Sequence, residues 1–112
     1  SHILMHEIPN VAKQRIFNES YRLLKTGGIM VHLDSLSFLS PPNLAVRYFR
    51  DTEVYYNCEP FVACANLEDL NSFALEAGFA PQNCHTYQVS GYYSQQQGST
   101  RPKWLAFCGV KG

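Results

Sequence analysis

The chain has 112 residues, 46% of them hydrophobic and 13% aromatic, enough for one domain with a core of its own. Nine basic residues balance nine acidic ones, which removes the basic excess that binders of nucleic acid and of anionic membranes carry. Charged residues make up only 16%, below the ~25% of an average soluble domain, as expected where a partner covers part of the surface.

No apolar run approaches the ~20 residues of a membrane span, and no basic-then-apolar secretory signal opens the chain. The expectation is a cytoplasmic protein without nucleic-acid or membrane partners. The four cysteines, Cys58, Cys64, Cys84 and Cys108, include no C-x-x-C pair, and none lies three to five residues from a histidine. That spacing argues against a zinc site. The apolar neighbours of Cys64 and Cys108 predict buried free thiols.

Residues 1–7 read as the end of a strand, or the turn after one. A helix then starts at Pro9-Asn10, with Asn10 as its N-cap. Ala12, Ile16, Ser20 and Leu23 form one row, and Phe17, Tyr21 and Leu24 the next, giving a broad apolar stripe. Gln14, Arg15, Asn18, Glu19 and Arg22 fall on the other side. Arg22 and Lys25 suit the negative end of the helix dipole, and Gly27-Gly28 ends the helix. The run Ile29, Met30, Val31, His32 and Leu33 predicts a largely buried strand, with Asp34 and Ser35 just past its end.

The stretch from 36 to 65 is a long insertion broken by Pro41 and Pro42, a kind of segment that often carries function. A short helix is expected at 44–50, capped by Asn43, followed by an irregular aromatic segment from Tyr55 to Phe61. A second clear helix runs from Asn66 to Gly78. Asn66 caps it, and Glu68 and Asp69 place negative charge in its first turn. Leu67, Leu70, Phe73, Ala74 and Ala77 form its apolar face, and Gly78-Phe79 makes a Schellman-type end. Residues 84–93 have strand character, 94–102 a polar loop, and 103–110 a last strand. The run from Trp104 to Cys108 is apolar on both faces, which predicts a strand inside a sheet covered on both sides. The last two strands are expected to pair as an antiparallel hairpin.

The succession Leu4-Met5-His6-Glu7-Ile8-Pro9, then Ile16 to Gly28 (IFNESYRLLKTGG), then Ile29 to Asp34 resembles the middle of a class I methyltransferase that uses S-adenosylmethionine (SAM). The family's pattern is a "HELP"-like turn after a strand, a helix ending R-x-L-K-P-G-G, and a strand closed by an acid. Thr26 stands where proline is usual. Glu76-Ala77-Gly78-Phe79 resembles the family's EAGF before the last two strands. The resemblance covers residues 1–110. It implies an α/β fold: a partial Rossmann-like methyltransferase sheet, its last strands ending in an antiparallel hairpin, flanked by helices. The chain has no G-x-G-x-G run. By resemblance it begins near the end of the fourth of seven strands, so that 1–112 is a partial domain, the C-terminal portion, inactive alone for want of the glycine-rich SAM loop.

The resemblance places His6 and Glu7 beside the cofactor, at the strand edge where open α/β sheets bind ligands. The plainer reading is that they brace the following helix. Asp34 either faces substrate or satisfies loop amides. Tyr55, Tyr56, Asn57 and Glu59 fall in the insertion (36–65), on the substrate side by resemblance. Aromatics with a few polar groups suit a small-molecule acceptor pocket and equally suit a lid or a dimer contact. Tyr92 and Tyr93 are weaker candidates of the same kind. His32 reads as a satisfied core histidine. No hydrolase constellation or P-loop is present, and methyl transfer needs mainly alignment of acceptor and methyl group. A second reading is a non-catalytic α/β interaction module that forms a homo-oligomer through an open sheet edge. A third, a binding module unrelated to methyltransferases, predicts a sheet without the antiparallel last strand.

Overall fold

The computed structural model describes residues 1–2, 4–35, 44–58, 60–61, 67–90 and 104–112. A 3-10 turn at Met5–Glu7 precedes helix α1, Asn10–Leu23. Strand β1 spans Ile29–Ser35, helix α2 Leu44–Tyr56 and helix α3 Leu67–Ala77. A 3-10 turn at Pro81–Asn83 leads into β2, Cys84–Val89, and the last strand is β3, Trp104–Val110.

The sheet order is β1-β3-β2, with β3 antiparallel to both neighbours. β1 and β2 therefore run the same way, and the last strand is inserted against the grain between them. The expected hairpin of the last two strands is present. The first residues also pair with β1: His2 bridges Leu33 in parallel, and the Leu33 amide donates to the Ser1 carbonyl at 2.9 Å. From residues 1–2 to β1 to β2 the chain thus advances in one direction across the sheet. Right-handed crossovers then put their helices on one face. Phe17 of α1 and Leu70 and Ala74 of α3 accordingly share one core with Met30, Leu105 and Phe107 of the sheet, closed by Met5 and Phe79.

The helix ends are built locally. Gly78 has φ +112°, the Phe79 amide donates to the Ala74 carbonyl, and the Gly78 amide to the Leu75 carbonyl, the paired bonds of a Schellman end. A Cβ on Gly78 would stand 3.0 Å from the Tyr21 ring, so this end is also where α3 approaches α1. The C-terminal end of α1 is closed from a distance. Lys111 Nζ donates to the carbonyls of Tyr21 and Leu24 at 2.8 and 2.9 Å and lies 4.6 Å from the Tyr21 ring centroid.

Several expectations need correction. Asn10 is the first helical residue, not the N-cap; Pro9 occupies that place. The Asn10 side chain instead accepts from Lys13 Nζ at 3.1 Å. Lys13, absent from the expected stripe, is fully buried beside Phe17, while Leu23, assigned to the stripe, is exposed. Helix α1 stops at Leu23, and Gly27, at φ +80°, turns the chain into β1. β1 continues through Asp34 and Ser35, because their backbone still pairs with Leu105 and Trp104. α2 is longer than expected and carries Tyr55 and Tyr56 on its last turn. β2 ends at Val89. The expected caps Asn43 and Asn66, together with Cys64, Tyr92, Tyr93 and the loop 94–102, lie outside the described residues.

The largest correction concerns burial. Met30, His32 and Asp34 point to the helices and are buried, but the alternate residues do not lie under a second layer. Ile29, Val31, Tyr87 and Val89 share the other face by register and are 60, 45, 55 and 39% exposed. The sheet is covered by helices on one side only among the described residues.

Candidate functional site

Open α/β sheets bind their ligands at the carboxyl ends of parallel strands. Two segments meet at that edge here: the end of β1, and the 3-10 turn that follows the residues paired to it. Met5 anchors the turn by its fully buried side chain. Asp34, the penultimate residue of β1, points into the turn's backbone and is 2% exposed. Its Oδ2 accepts from the Met5 amide at 2.8 Å and from the His6 amide at 3.4 Å. Its Oδ1 lies 2.6 Å from His6 Nδ1.

A carboxylate so placed acts as acceptor, so His6 Nδ1 is the donor and Nε2 lies on the far side of the ring. The His6 side chain retains 14% exposure, and Glu7 Oε1 stands 3.9 Å from Nε2. The structure thus brings together three of the residues singled out in the sequence. It gives Asp34 a loop-fastening role and, in addition, a hold on a histidine. The sequence alone suggested no link between His6 and Asp34, because they become neighbours only once residues 1–2 pair with β1.

The remaining candidates do not join them. Tyr55, Tyr56 and Asn57 are exposed. No hydrogen bond, ion pair or ring contact ties them to His6, Glu7 or Asp34 among the described residues. Glu59 lies outside the described residues.

His32, one pleat back on β1, is a core residue. Its ring packs 4.9 Å from that of Phe17, and its Nδ1 lies 2.7 Å from Ser1 Oγ. Burial pushes its pKa down to about 4, against the pull of Asp34. Its Nε2 is buried without a hydrogen-bond partner among the described residues, so the core histidine is satisfied on one nitrogen only. Cys58, Cys84 and Cys108 are free thiols, and burial raises the pKa of the latter two. No group of three or more metal-ligating side chains occurs among the described residues. No helix among them is long and apolar enough to cross a membrane.

Comparison with known proteins places this architecture. No family model matches the chain, and no curated protein matches its sequence. Solved structures do match. Phosphoethanolamine N-methyltransferase 2 of Haemonchus contortus, in complex with SAM, superposes with a TM-score of 0.59 at 16% identity. The same enzyme with phosphomonomethylethanolamine and S-adenosylhomocysteine gives 0.58 at 16%. The chain has a methyltransferase fold. A possible exported protein of Bordetella parapertussis shares it, with a TM-score of 0.58 at 15% identity. Each alignment covers 99% of this chain, but only 32% of the Haemonchus chains and 37% of the Bordetella chain. The chain therefore spans about a third of the length of these methyltransferase-fold neighbours.

Proposed function

We propose that this chain is the C-terminal portion of a SAM-dependent methyltransferase domain that methylates a small-molecule acceptor. The observation that carries the reading is the antiparallel β3 set between the parallel β1 and β2, with a further strand end paired in parallel to β1. This topology also argues against the unrelated binding module, which predicts no such strand.

SAM supplies an electrophilic methyl group when bound, and the protein's task is alignment. His6 and Glu7 stand at the strand edge suited to border the cofactor, with polar atoms facing outward. The glycine-rich turn that would grip the rest of the cofactor has no counterpart among these 112 residues. On this reading it comes from the preceding part of the polypeptide, and the chain alone is inactive. The segment 36–65, with Tyr55, Tyr56, Asn57 and Glu59, forms part of the acceptor side in a cytoplasmic enzyme. S-adenosylhomocysteine should raise the melting temperature of the full-length polypeptide. An unchanged melting curve at millimolar ligand would count against cofactor binding.

One observation favours a second reading, self-association of an interaction module. It is the apolar face of Ile29, Val31, Tyr87 and Val89, which no helix among the described residues covers. Three strands of about seven residues present roughly 340 Å² of sheet at ~4.8 Å between strands and ~3.4 Å per residue. A stable dimer buries about 800 Å² per partner. The face is too small to hold a dimer alone and suits a covalently joined helical layer better. Light scattering on the full-length polypeptide separates the two: a dimer that S-adenosylhomocysteine does not stabilise favours the module.

A further inference from the structure

We propose that β2 is a docking edge for a second copy of this polypeptide, the two β2 strands pairing antiparallel about a two-fold axis at Tyr87. The inference goes beyond catalysis and takes from the methyltransferase reading only that further polypeptide precedes this chain. Its basis is an end of the sheet that nothing blunts. β2 pairs with β3 on one side only among the described residues. An edge strand offers a row of backbone donors and acceptors to any matching strand, and monomeric proteins guard such edges with lysine, proline or a bulge. β2 carries none of these. Its sequence is Cys84-His85-Thr86-Tyr87-Gln88-Val89, and its register with β3 runs unbroken from Cys84 opposite Gly109 to Val89 opposite Trp104. From Ala77 to Thr100 the sequence holds no Asp, Glu, Lys or Arg.

On the methyltransferase reading the rest of the polypeptide leaves this edge open. His2 bridges Leu33 in parallel, on the side of β1 away from β3, so the preceding segment joins the sheet at the opposite end. Symmetry and charge argue for a second copy as the occupant. The formal net charge of the chain is zero, so two copies of it meet without net repulsion. A two-fold axis perpendicular to the sheet keeps every side chain on its own face, and facing residues must then be an even number of positions apart. Two registers near the middle of β2 satisfy that: Thr86 opposite itself, or Tyr87 opposite itself. The second covers the exposed part of the strand. His85, Tyr87, Gln88 and Val89 are exposed, whereas Cys84 and Thr86 are half-buried. In that register Tyr87 meets Tyr87 of the second copy, an aromatic cross-strand pair on the axis, and His85 meets Val89 on either side of it. Pairing from His85 to Val89 makes a contact below the ~1,600 Å² of a standard interface, so the dimer dissociates on dilution.

The test uses the full-length polypeptide that carries this chain. Light scattering over a dilution series should show a monomer–dimer equilibrium. Tyr87→Lys removes the aromatic pair and sets two ammonium groups opposite each other, and should raise the dissociation constant of the dimer at least ~10-fold. Tyr87→Cys guards against a fold defect in the lysine variant and reads the register. Residues facing each other in an antiparallel pair have Cα atoms ~4.5–5.5 Å apart, within the ~4.4–6.8 Å that a disulfide spans. Mild oxidation should therefore link the Tyr87→Cys variant into a dimer on a non-reducing gel, beyond any link the wild type forms. Val89→Cys should not link in this way, because its counterpart in the second copy lies four residues along, roughly 14 Å away at ~3.4 Å per residue.

A wild-type polypeptide that stays monomeric up to millimolar concentration overturns the proposal. So does a dimer that Tyr87→Lys leaves equally tight, or a Val89→Cys variant that links as readily as Tyr87→Cys. In each of these cases binding of S-adenosylhomocysteine leaves the methyltransferase reading standing, because the docking edge is two strands removed from β1. Loss of that binding in a wild type that still dimerises overturns the methyltransferase reading and leaves the docking edge in place.

Discussion

His32 lies within β1 and His6 in the 3-10 turn beside the end of that strand, and their surroundings differ. His32 is enclosed by Phe17 and the sheet, and its pKa falls to about 4. The unfolded ring, with an ordinary pKa near ~6.5, takes up a proton first as the pH drops. The stability that the neutral ring contributes is therefore present above about pH 6.5 and is lost as the pH falls towards 4, by on the order of 3 kcal/mol. Urea unfolding at pH 7.5 and 4.5 checks this: His32→Phe should lose less stability over that interval than the wild type. Equal losses would show that His32 is not the group responsible. Of these residues the sequence revealed part. The run Met30 to Leu33 marked His32 as buried, and the order of strand, turn and helix marked His6, Glu7 and Asp34 as edge residues. It did not reveal the His6–Asp34 pair, which depends on which strands are neighbours. Nor did it reveal the burial of Lys13, since periodicity assigns a lysine to the solvent face.

At the scale of elements, the chain's stops were more legible than its starts. Gly78 and Phe79 announced the end of α3, because a glycine followed by an apolar residue supplies both the left-handed conformation and the closing contact. Gly78 and Gly27 both have positive φ, but only Gly78 faces a neighbour, the Tyr21 ring at 3.0 Å. Alanine at Gly27 meets nothing within 4 Å and should cost about 1 kcal/mol for backbone conformation alone. Gly78→Ala should cost more, towards ~3 kcal/mol, since strain and a collision with α1 combine. Urea midpoints of the two variants give the order directly, and an equal or smaller loss at Gly78 would contradict the close packing of α1 on α3. The start of α1 was misread because Asn10 is a good cap by type, yet its side chain is taken by Lys13. The end of α1 owes its closure to Lys111, at the far end of the chain, a long-range contact that no local pattern encodes.

The molecule as a whole bears out the α/β architecture and the antiparallel last strand, while its uneven coverage gives the low charge a structural counterpart. The run from Trp104 to Cys108, apolar on both faces, predicted a sheet covered on both sides, and Ile29–Leu33 a largely buried strand; the described residues supply only one helical layer. A strand's composition reflects everything that covers it in the mature fold, so the sequence points to a second layer, which the described residues do not supply. In the alignments nearly all of this chain lies on about a third of each Haemonchus neighbour. The central proposal is that the cofactor site is shared between this chain and a preceding part of the polypeptide. Titration calorimetry with SAM tests it most directly, run in parallel on the full-length polypeptide and on residues 1–112. The account predicts binding near one equivalent for the full-length polypeptide and no measurable heat for the chain alone. Stoichiometric, tight binding by the chain alone would contradict it, as would the absence of binding by the full-length polypeptide.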